Sequence, residues 1–233
     1  MAPLFEPILP FLRRRLSPAG FFGLYFTVGC FVMVVAGVIF GDLTEDVITN
    51  DPLTRVDQRV AEWFHRNSTP EFTDTMTAIT FFGSPFCLFG LGLLTLLALW
   101  RKRLTYHMLM LIVTLPIGMG VCMLLKLAVH RQRPLWAAGQ FNPLDYSFPS
   151  GHAMGSMLLY GSFALLAYFS PGSKLARSLV ILGLFFLAVL VGFSRIYLTV
   201  HYFSDVIGGL AAGILWVSFS ATMITFLKRF RER

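Results

Sequence analysis

Six long apolar stretches constrain the fold of this 233-residue chain more than any other feature. About 20 apolar residues in a helix cross the hydrocarbon core of a bilayer, and the two shortest stretches reach that length only with the polar residues at their ends. The pattern predicts an all-α integral membrane protein, built as a bundle of six transmembrane helices. The stretches run near Ala19 to Phe40, Phe72 to Trp100, Leu104 to Val129, Met154 to Phe169, Leu179 to Phe193 and Phe203 to Leu227.

The composition excludes a soluble globular enzyme. Hydrophobic residues make up 56% of the chain and charged residues 13%, whereas soluble domains carry about 25% charged residues. This leaves too little polar surface to cover a core in water. No internal repeat or low-complexity stretch divides the sequence, so we expect one membrane-embedded domain over residues 1–233.

The basic residues predict the orientation of the bundle. With six spans, the basic N-terminus, two basic turns and the basic tail share one side, which the positive-inside rule makes cytoplasmic. They are Arg13, Arg14 and Arg15, the turns around Arg101 to Arg103 and Lys174 to Arg177, and the tail from Lys228 to Arg233. The net charge of +7 is therefore a signal of topology. Because these residues are scattered and form no patch, we expect no nucleic-acid partner.

The segment between the first two spans, from Asp42 to Glu71, has two interpretations. Apolar side chains alternate there with charged ones such as Asp57 at helical spacing, which suits an amphipathic helix lying on the outer leaflet. A plain surface loop fits equally well. The apolar residues are Val56, Val60, Trp63 and Phe64.

Polar groups at the ends of spans are candidates for function, because ionisable residues at membrane depth are costly. Lys126 and Arg133 are seven residues apart, which is two helical turns, so both are expected on one face of the third span. Pro134 should stop that helix just beyond them. Together they predict a cationic clamp, although cations that merely extend to the interface would show the same spacing.

A second polar group, Pro149 to His152, stands directly before the fourth span. Ser150 is a good N-cap, and Gly151 lets a ligand approach the free N–H groups of the first helical turn, where the helix dipole favours an anion. A phosphate suits this position. An ordinary capped helix start explains Pro149 and Ser150 equally well, but it gives no reason for His152.

The third group contains Ser194, Arg195, His201 and Asp205. On a helix, positions i and i+4 bring His201 next to Asp205, so the carboxylate can fix the tautomer of the imidazole and leave its other nitrogen free to attack. This pattern is typical of a nucleophile with its orienting group. Alternatively, the pair only satisfies itself at a helix end.

All three groups fall on the same outer face in a six-span topology. Three cations and a helix N-terminus fit the oxygens of a phosphoryl group in transfer, with one histidine attacking phosphorus and the other protonating the leaving oxygen. No carboxylate cluster or Cys/His spacing indicates a metal site, so we expect neither a metal nor another cofactor.

The spacing of the three groups resembles the three-part signature of the type 2 phosphatidic acid phosphatase superfamily, and it covers residues 126–205. The matching positions are Lys126, Arg133-Pro134, Pro149-Ser150-Gly151-His152, Ser194-Arg195, His201 and Asp205. The resemblance implies a metal-free phosphohistidine mechanism. It assigns His201 as nucleophile, Asp205 as its orienter and His152 as the acid for the leaving group.

The same resemblance implies a phosphate-binding set and a substrate. The phosphoryl oxygens would be held by Lys126, Arg133, Ser150, Gly151 and Arg195. His130 and Arg131 lie outside the signature and are interpreted as rim or substrate contacts. The substrate would be a membrane lipid phosphate, with phosphatidylglycerol phosphate, phosphatidate, undecaprenyl diphosphate and lipid A phosphates all open. The implied location is a bacterial inner membrane, with the site facing the periplasm or exterior; the oligomeric state stays open.

Three other functions use related features. A lipid phosphotransferase would need the same residues and differ only in its acceptor. A transporter would place its charges near the midplane of the bilayer, at broken helices, whereas these charges lie at one set of helix ends. A vanadium haloperoxidase would share the anion pocket, but such enzymes resemble soluble proteins and six spans argue against one.

Overall fold

The computed structural model describes residues 24–49, 52–137 and 145–231. Within these ranges the chain forms nine α-helices and no β-strand. The helices are α1 (Leu24–Thr49), α2 (Pro52–Asn67), α3 (Pro70–Phe81), α4 (Pro85–Arg101), α5 (Thr105–Ile112), α6 (Gly118–Val129), α7 (Gly151–Phe169), α8 (Lys174–Tyr197) and α9 (Phe203–Arg231). The described residues do not include the start of the first apolar stretch or the basic N-terminus, Arg13, Arg14 and Arg15, which was predicted to be cytoplasmic.

Six helical segments of the described residues are long and apolar enough to cross a membrane, which confirms the predicted bundle. The first span extends past the predicted end at Phe40. The third contains a π-helical stretch, Val113–Ile117, around Pro116, which has no N–H to donate to the helix. The spans are Phe26–Thr49, Pro70–Arg101, Thr105–Val129, Gly151–Phe169, Lys174–Tyr197 and Phe203–Lys228.

Helix α7 lies at the centre of the bundle and packs against α8 and α9. Its buried face includes Leu158 and Leu159, which join the main apolar cluster with Leu88 of α4 and Leu115 of the π-helical stretch. Helix α1 packs against α9 on the outside of the bundle. The expectation that the short fourth and fifth spans use their polar ends is confirmed, because α7 begins at Gly151 and α8 includes Arg195.

The outer segment contains a helix, α2, so the helical interpretation is confirmed over Pro52–Asn67 and the loop interpretation is wrong there. Its apolar residues Val60 and Phe64 pack against a small cluster with Ile196 and Val206. The prediction that Asp57 lies on a charged face of this helix is wrong, because the residue is fully buried. The Asp57 carboxylate points inward because it accepts hydrogen bonds from the start of α9 and from a buried arginine described below.

Glycines let the start of α9 approach α7 closely. A Cβ on Gly209 would lie 2.7 Å from the carbonyl oxygen of Ser150 and 3.1 Å from the Cβ of Ala153. A Cβ on Gly213 would lie 2.6 Å from the Cβ of Met157. This close packing holds the N-terminus of α7 against α9.

Replacing Gly209 by alanine should therefore loosen this contact. We expect Gly209→Ala to destabilise the protein by about 1–3 kcal/mol, as overpacked core variants do, because the backbone oxygen of Ser150 has no rotamer by which to move away. The measurement is the thermal unfolding midpoint in detergent. Gly183→Ala on α8 is the control, since a Cβ there meets nothing within 4 Å. An unchanged midpoint for Gly209→Ala would contradict the close packing.

Candidate active site

The N-terminus of α7 forms one wall of the site. Ser150 caps the helix, with its Oγ accepting from the N–H of Ala153 at 3.5 Å, which confirms the predicted N-cap. The N–H of Ser150 donates to the carbonyl of Asp205 at 2.9 Å and so joins α7 to α9. A Cβ on Gly151 would meet the Lys126 side chain at an ordinary 3.9 Å. The protein would thus tolerate a side chain there, and any need for glycine comes from what binds at the helix end.

The structure brings Lys126 and Arg133 together, but the prediction that both lie on one face of the same helix is wrong. Helix α6 ends at Val129, and His130 takes the left-handed conformation with φ 54°. Arg133 therefore follows the helix on a non-helical segment. The chain turns here because the carbonyl of Arg131 accepts from the N–H of Ser147 at 2.8 Å, which lays the segment alongside the loop before α7.

Asp145, to which no sequence pattern assigned a role, joins the two cations. Its Oδ1 lies 3.3 Å from Lys126 Nζ and its Oδ2 lies 3.0 Å from Arg133 Nη2. Lys126 also donates to the carbonyl of Tyr146. Burial favours the neutral carboxyl, but the charges of Lys126 and Arg133 outweigh it and lower the pKa of Asp145. Its one sequence signal is an acidic residue five positions before Ser150.

Arg195 is buried in the last turn of α8, with 6% of its surface exposed. Its Nη1 donates to Thr80 Oγ1 on α3 at 3.0 Å, a partner that sequence analysis missed because it lies on another span. The Nε of Arg195 is buried and has no hydrogen-bond partner among the described residues. A buried guanidinium N–H that lacks an acceptor favours an anionic ligand.

His201 and Asp205 meet as predicted, although His201 is not on a helix. It lies in the turn before α9, and its Nδ1 is 3.3 Å from Asp205 Oδ2. Its Nε2 is 3.1 Å from Arg133 Nη1, which can only donate. This pattern assigns the proton to Nδ1 and the lone pair to Nε2. Burial is the main cause that lowers the pKa of His201 to about 3, so the imidazole is neutral at pH 7.

The Asp205 carboxylate is fully buried and saturated with donors. It occupies the third position of α9, and its Oδ2 accepts from the N–H of Tyr202 at 2.8 Å. This is one of the two hydrogen bonds of a capping box, the one from the N-cap N–H to the side chain three residues later. The hydroxyl of Ser147 donates to the same oxygen. The other oxygen, Oδ1, accepts from Arg131 Nη1 at 2.6 Å.

The prediction that Arg131 is a rim or substrate contact is wrong. Its side chain is only 9% exposed and bridges two fully buried carboxylates, those of Asp205 and Asp57. The guanidinium also lies over the ring of Tyr202, 4.4 Å from its centroid. His130 next to it is exposed and contacts the ring of Tyr146, so its predicted place at the rim stays a prediction.

His152, the second residue of α7, is partly exposed. It follows the N-cap Ser150 and Gly151 in the first turn of the helix. The structure therefore brings every predicted site residue to one end of the bundle. Those residues are Lys126, Arg133, Ser150, Gly151, His152, Arg195, His201 and Asp205.

This arrangement can bind an oxyanion and attack it. Lys126, Arg133 and Arg195 supply three positive charges, and α7 presents the N–H groups of its first turn, which have no partner within the helix. The neutral Nε2 of His201 supplies a lone pair beside Arg133. Within the described ranges, no cluster of three or more His, Cys, Asp or Glu side chains is placed to hold a metal ion.

Comparison with known proteins places this site in a family. The model of the PAP2 superfamily matches residues 107–229. The chain is 31% identical over 172 residues to phosphatidylglycerophosphatase B of Bacillus subtilis, covering 70% of this chain and 81% of that protein. It is 43% identical over 82 residues to an undecaprenyl-diphosphatase of Sulfolobus acidocaldarius, a match that covers 35% of each chain.

Two solved structures share the fold. The transmembrane PAP2-type phosphatidylglycerolphosphate phosphatase of Bacillus subtilis superposes with a TM-score of 0.71 at 29% identity, over 86% of this chain and 96% of that one. LpxE of Aquifex aeolicus gives a TM-score of 0.52 at 26% identity, over 71% and 94% of the two chains. The first match and the six apolar spans make this chain an integral membrane protein.

The pairing of Asp145 with both clamp cations leads to a prediction about anion binding. Because its carboxylate competes with a bound oxyanion for Lys126 and Arg133, we expect Asp145→Asn to bind vanadate about twofold to fivefold more tightly, the range of a partly exposed ion pair. The measurement is the equilibrium dissociation constant of vanadate at fixed ionic strength. Asp74→Asn, an exposed carboxylate on α3, is the control. Weaker binding would show that Asp145 mainly holds the two cations in place.

Proposed function

This chain belongs to the PAP2 superfamily and is a hydrolase of phosphoric esters, and we propose that it removes phosphate from a membrane lipid through a phosphohistidine intermediate on His201. The proposal assigns the residues of the candidate active site to defined steps. It also names a preferred substrate and a side of the membrane, each taken up in turn below.

One observation carries the proposal. The Nε2 of His201 lies 3.1 Å from Arg133, while its Nδ1 faces Asp205. A phosphoryl group that pairs with Arg133 therefore sits beside the imidazole nitrogen that has the lone pair. Since burial keeps His201 neutral, this nitrogen is a nucleophile at neutral pH.

In the first step, Nε2 of His201 forms a bond to phosphorus as the bond from phosphorus to the lipid oxygen breaks. His152 donates a proton to the leaving oxygen, so the lipid departs as an alcohol, or as a monophosphate when the substrate is a diphosphate. The cations Lys126, Arg133 and Arg195 and the N–H groups of the first turn of α7 stabilise the charge on the phosphoryl oxygens.

In the second step, water attacks phosphorus and the bond to Nε2 breaks. His152, now neutral, takes the proton of the water, and inorganic phosphate leaves. Throughout both steps the Nδ1–H of His201 donates to Asp205, which offsets the positive charge that the phosphorylated imidazole carries.

The substrate we favour is phosphatidylglycerol phosphate. The relative named for this lipid matches over four fifths of its own length, whereas the undecaprenyl-diphosphatase matches over about a third. The site lies at the ends of the spans, where a lipid head group reaches the protein while its tails stay in the leaflet. Undecaprenyl diphosphate is the second candidate, since it presents the same terminal phosphate.

We place the site on the side of a bacterial inner membrane that faces away from the cytoplasm. The support is the charge distribution of the loops: Arg101, Lys102, Arg103 and Lys174 lie at the opposite ends of the spans. Basic loops of this length remain on the cytoplasmic side.

The two histidines should fail differently when replaced. We expect His201→Ala to lose all activity, because no covalent intermediate can form. His152→Ala should lower kcat for a lipid phosphate by about 10²- to 10⁴-fold, the usual contribution of a general acid. It should keep a measurable rate with an activated aryl phosphate, whose leaving oxygen needs little protonation. Asp205→Asn should fall between the two. The measurement is release of inorganic phosphate from both substrates in detergent.

Trapping the intermediate supplies the decisive control. Wild-type enzyme quenched during turnover of ³²P-labelled lipid should carry acid-labile, alkali-stable phosphate, and His201→Ala should carry none. Undiminished label in His201→Ala would move the nucleophile to another residue. Absence of label from wild type and His152→Ala alike would argue for direct attack by water.

Cysteine labelling tests the orientation. Two exposed positions lie at opposite ends of the spans: Arg66→Cys near the end of α2, and Lys102→Cys in the turn after α4. We expect an impermeant maleimide to label Arg66→Cys in intact spheroplasts and Lys102→Cys only after lysis. The unsubstituted chain, whose three cysteines lie within spans, gives the background. The reverse pattern would place the site in the cytoplasm.

A further inference from the structure

Resting on the proposed function, we propose that Arg131 and Asp57 are positioning residues that hold the Asp205 carboxylate ionised and correctly turned toward His201. Neither residue belongs to the three-part signature. Arg131 donates to Oδ1 of Asp205, and Asp57 pairs with Arg131, so both are linked to His201 through Asp205. Their effect on the reaction would pass entirely through that carboxylate.

The orientation of Asp205 depends on Arg131. One carboxylate oxygen, Oδ2, already takes donors from Ser147, Tyr202 and His201. Oδ1 accepts from Arg131 Nη1 at 2.6 Å. With donors on both oxygens, the plane of the carboxylate is fixed, and so is the direction in which Oδ2 meets the imidazole.

Asp57 in turn fixes Arg131. Its Oδ2 lies 2.7 Å from Arg131 Nη2, so one planar guanidinium spans two carboxylates. Its Oδ1 accepts from the N–H of Ser204 at 2.9 Å, in the first turn of α9. Arg131 also donates to the hydroxyl of Ser204 at 2.7 Å. Asp57 therefore ties the outer helix α2 to the start of α9. This helix begins at Phe203, two residues after His201.

Charge gives the network its second role. Asp57 and Asp205 are both fully buried, and Arg131 is the cation between them. The other groups that face Asp205 are Tyr202 and Ser147, which are uncharged, and His201, which is neutral. Without Arg131, two buried carboxylates would share one pocket, and such a pair retains a proton to a higher pH. A protonated Asp205 could no longer offset the charge that develops on His201.

The main variant is Arg131→Met, which keeps much of the side-chain length without the charge. We expect kcat for a short-chain lipid phosphate to fall about tenfold to a hundredfold, the loss that removing the hydrogen-bond partner of a metal-ligating side chain commonly causes, with KM changed less than threefold. The acid limb of the kcat profile should move to higher pH by about 1 unit or more, because two buried carboxylates without a cation between them retain a shared proton at low pH, and activity returns as pH rises.

The double variant Arg131→Met, Asp57→Asn distinguishes electrostatics from packing. Removing the second carboxylate removes the repulsion, so we expect it to regain at least threefold in kcat over Arg131→Met and to bring the acid limb back toward wild type. A double variant that is equally or more impaired, with an unmoved acid limb, would overturn the proposal. The matched control is Arg66→Met, on the exposed face of α2, the helix that contains Asp57. It should retain wild-type kcat.

Folding and the underlying mechanism are checked separately. If Arg131→Met does not purify as a monodisperse species, Arg131→Lys replaces it: one ammonium cannot span both carboxylates, so kcat should fall while the acid limb stays in place. Wild-type kcat and pH profile in the arginine variants, alongside loss of activity in His201→Ala and Asp205→Asn, would overturn only this inference. Full activity in His201→Ala would overturn the proposed function itself.

Discussion

The fully buried carboxylate of Asp205 is the constraint around which this end of the bundle is arranged. A buried anion costs several kcal/mol unless donors and an opposite charge surround it. Here Ser147, Tyr202 and Arg131 supply them from three separate stretches of chain. The loop before α7, the segment after α6 and the start of α9 must therefore meet at one point. The same point fixes the start of α7, because the N–H of Ser150 donates to the Asp205 carbonyl.

The membrane setting explains why α7 can present that site. It is the least apolar of the six spans, with a mean hydropathy of 1.2, and half of its span is buried inside the bundle. The first span, with a mean hydropathy of 2.1, is 6% buried. Lipid thus meets the apolar helices, while neighbouring helices surround the polar one. The N-terminus of α7, where an anion is favoured, is shielded by protein on the sides that would otherwise face the acyl chains.

Local patterns predicted the helices and the pairing of His201 with Asp205, but not the ion pairs that join separate segments of the chain. Four spans follow from apolar length, and the fourth and fifth also include the polar residues at their ends. Lys126 and Arg133 do meet, yet helical spacing is not the cause, because the helix ends before Arg133 and Asp145 joins the two. Asp57 looked like part of a solvated face, since nothing nearby in sequence indicates its partner Arg131, 74 residues away. Periodicity reports on neighbours in the chain, whereas these ion pairs depend on where the loops lie.

The two sets of buried charges in the site are neutralised in different ways, and the difference fits their roles. Lys126 and Arg133, the cations proposed to bind phosphate, pair with Asp145, whose side chain is 40% exposed. A counter-ion at the surface keeps much of its hydration when it moves away, so an incoming phosphate can replace it. The Asp205 anion pairs instead with Arg131, which is itself locked against Asp57 inside the protein. Leaving that pair would strand a buried charge. In the proposed reaction, the cations that exchange partners therefore have a replaceable counter-ion, and the anion that stays in place does not.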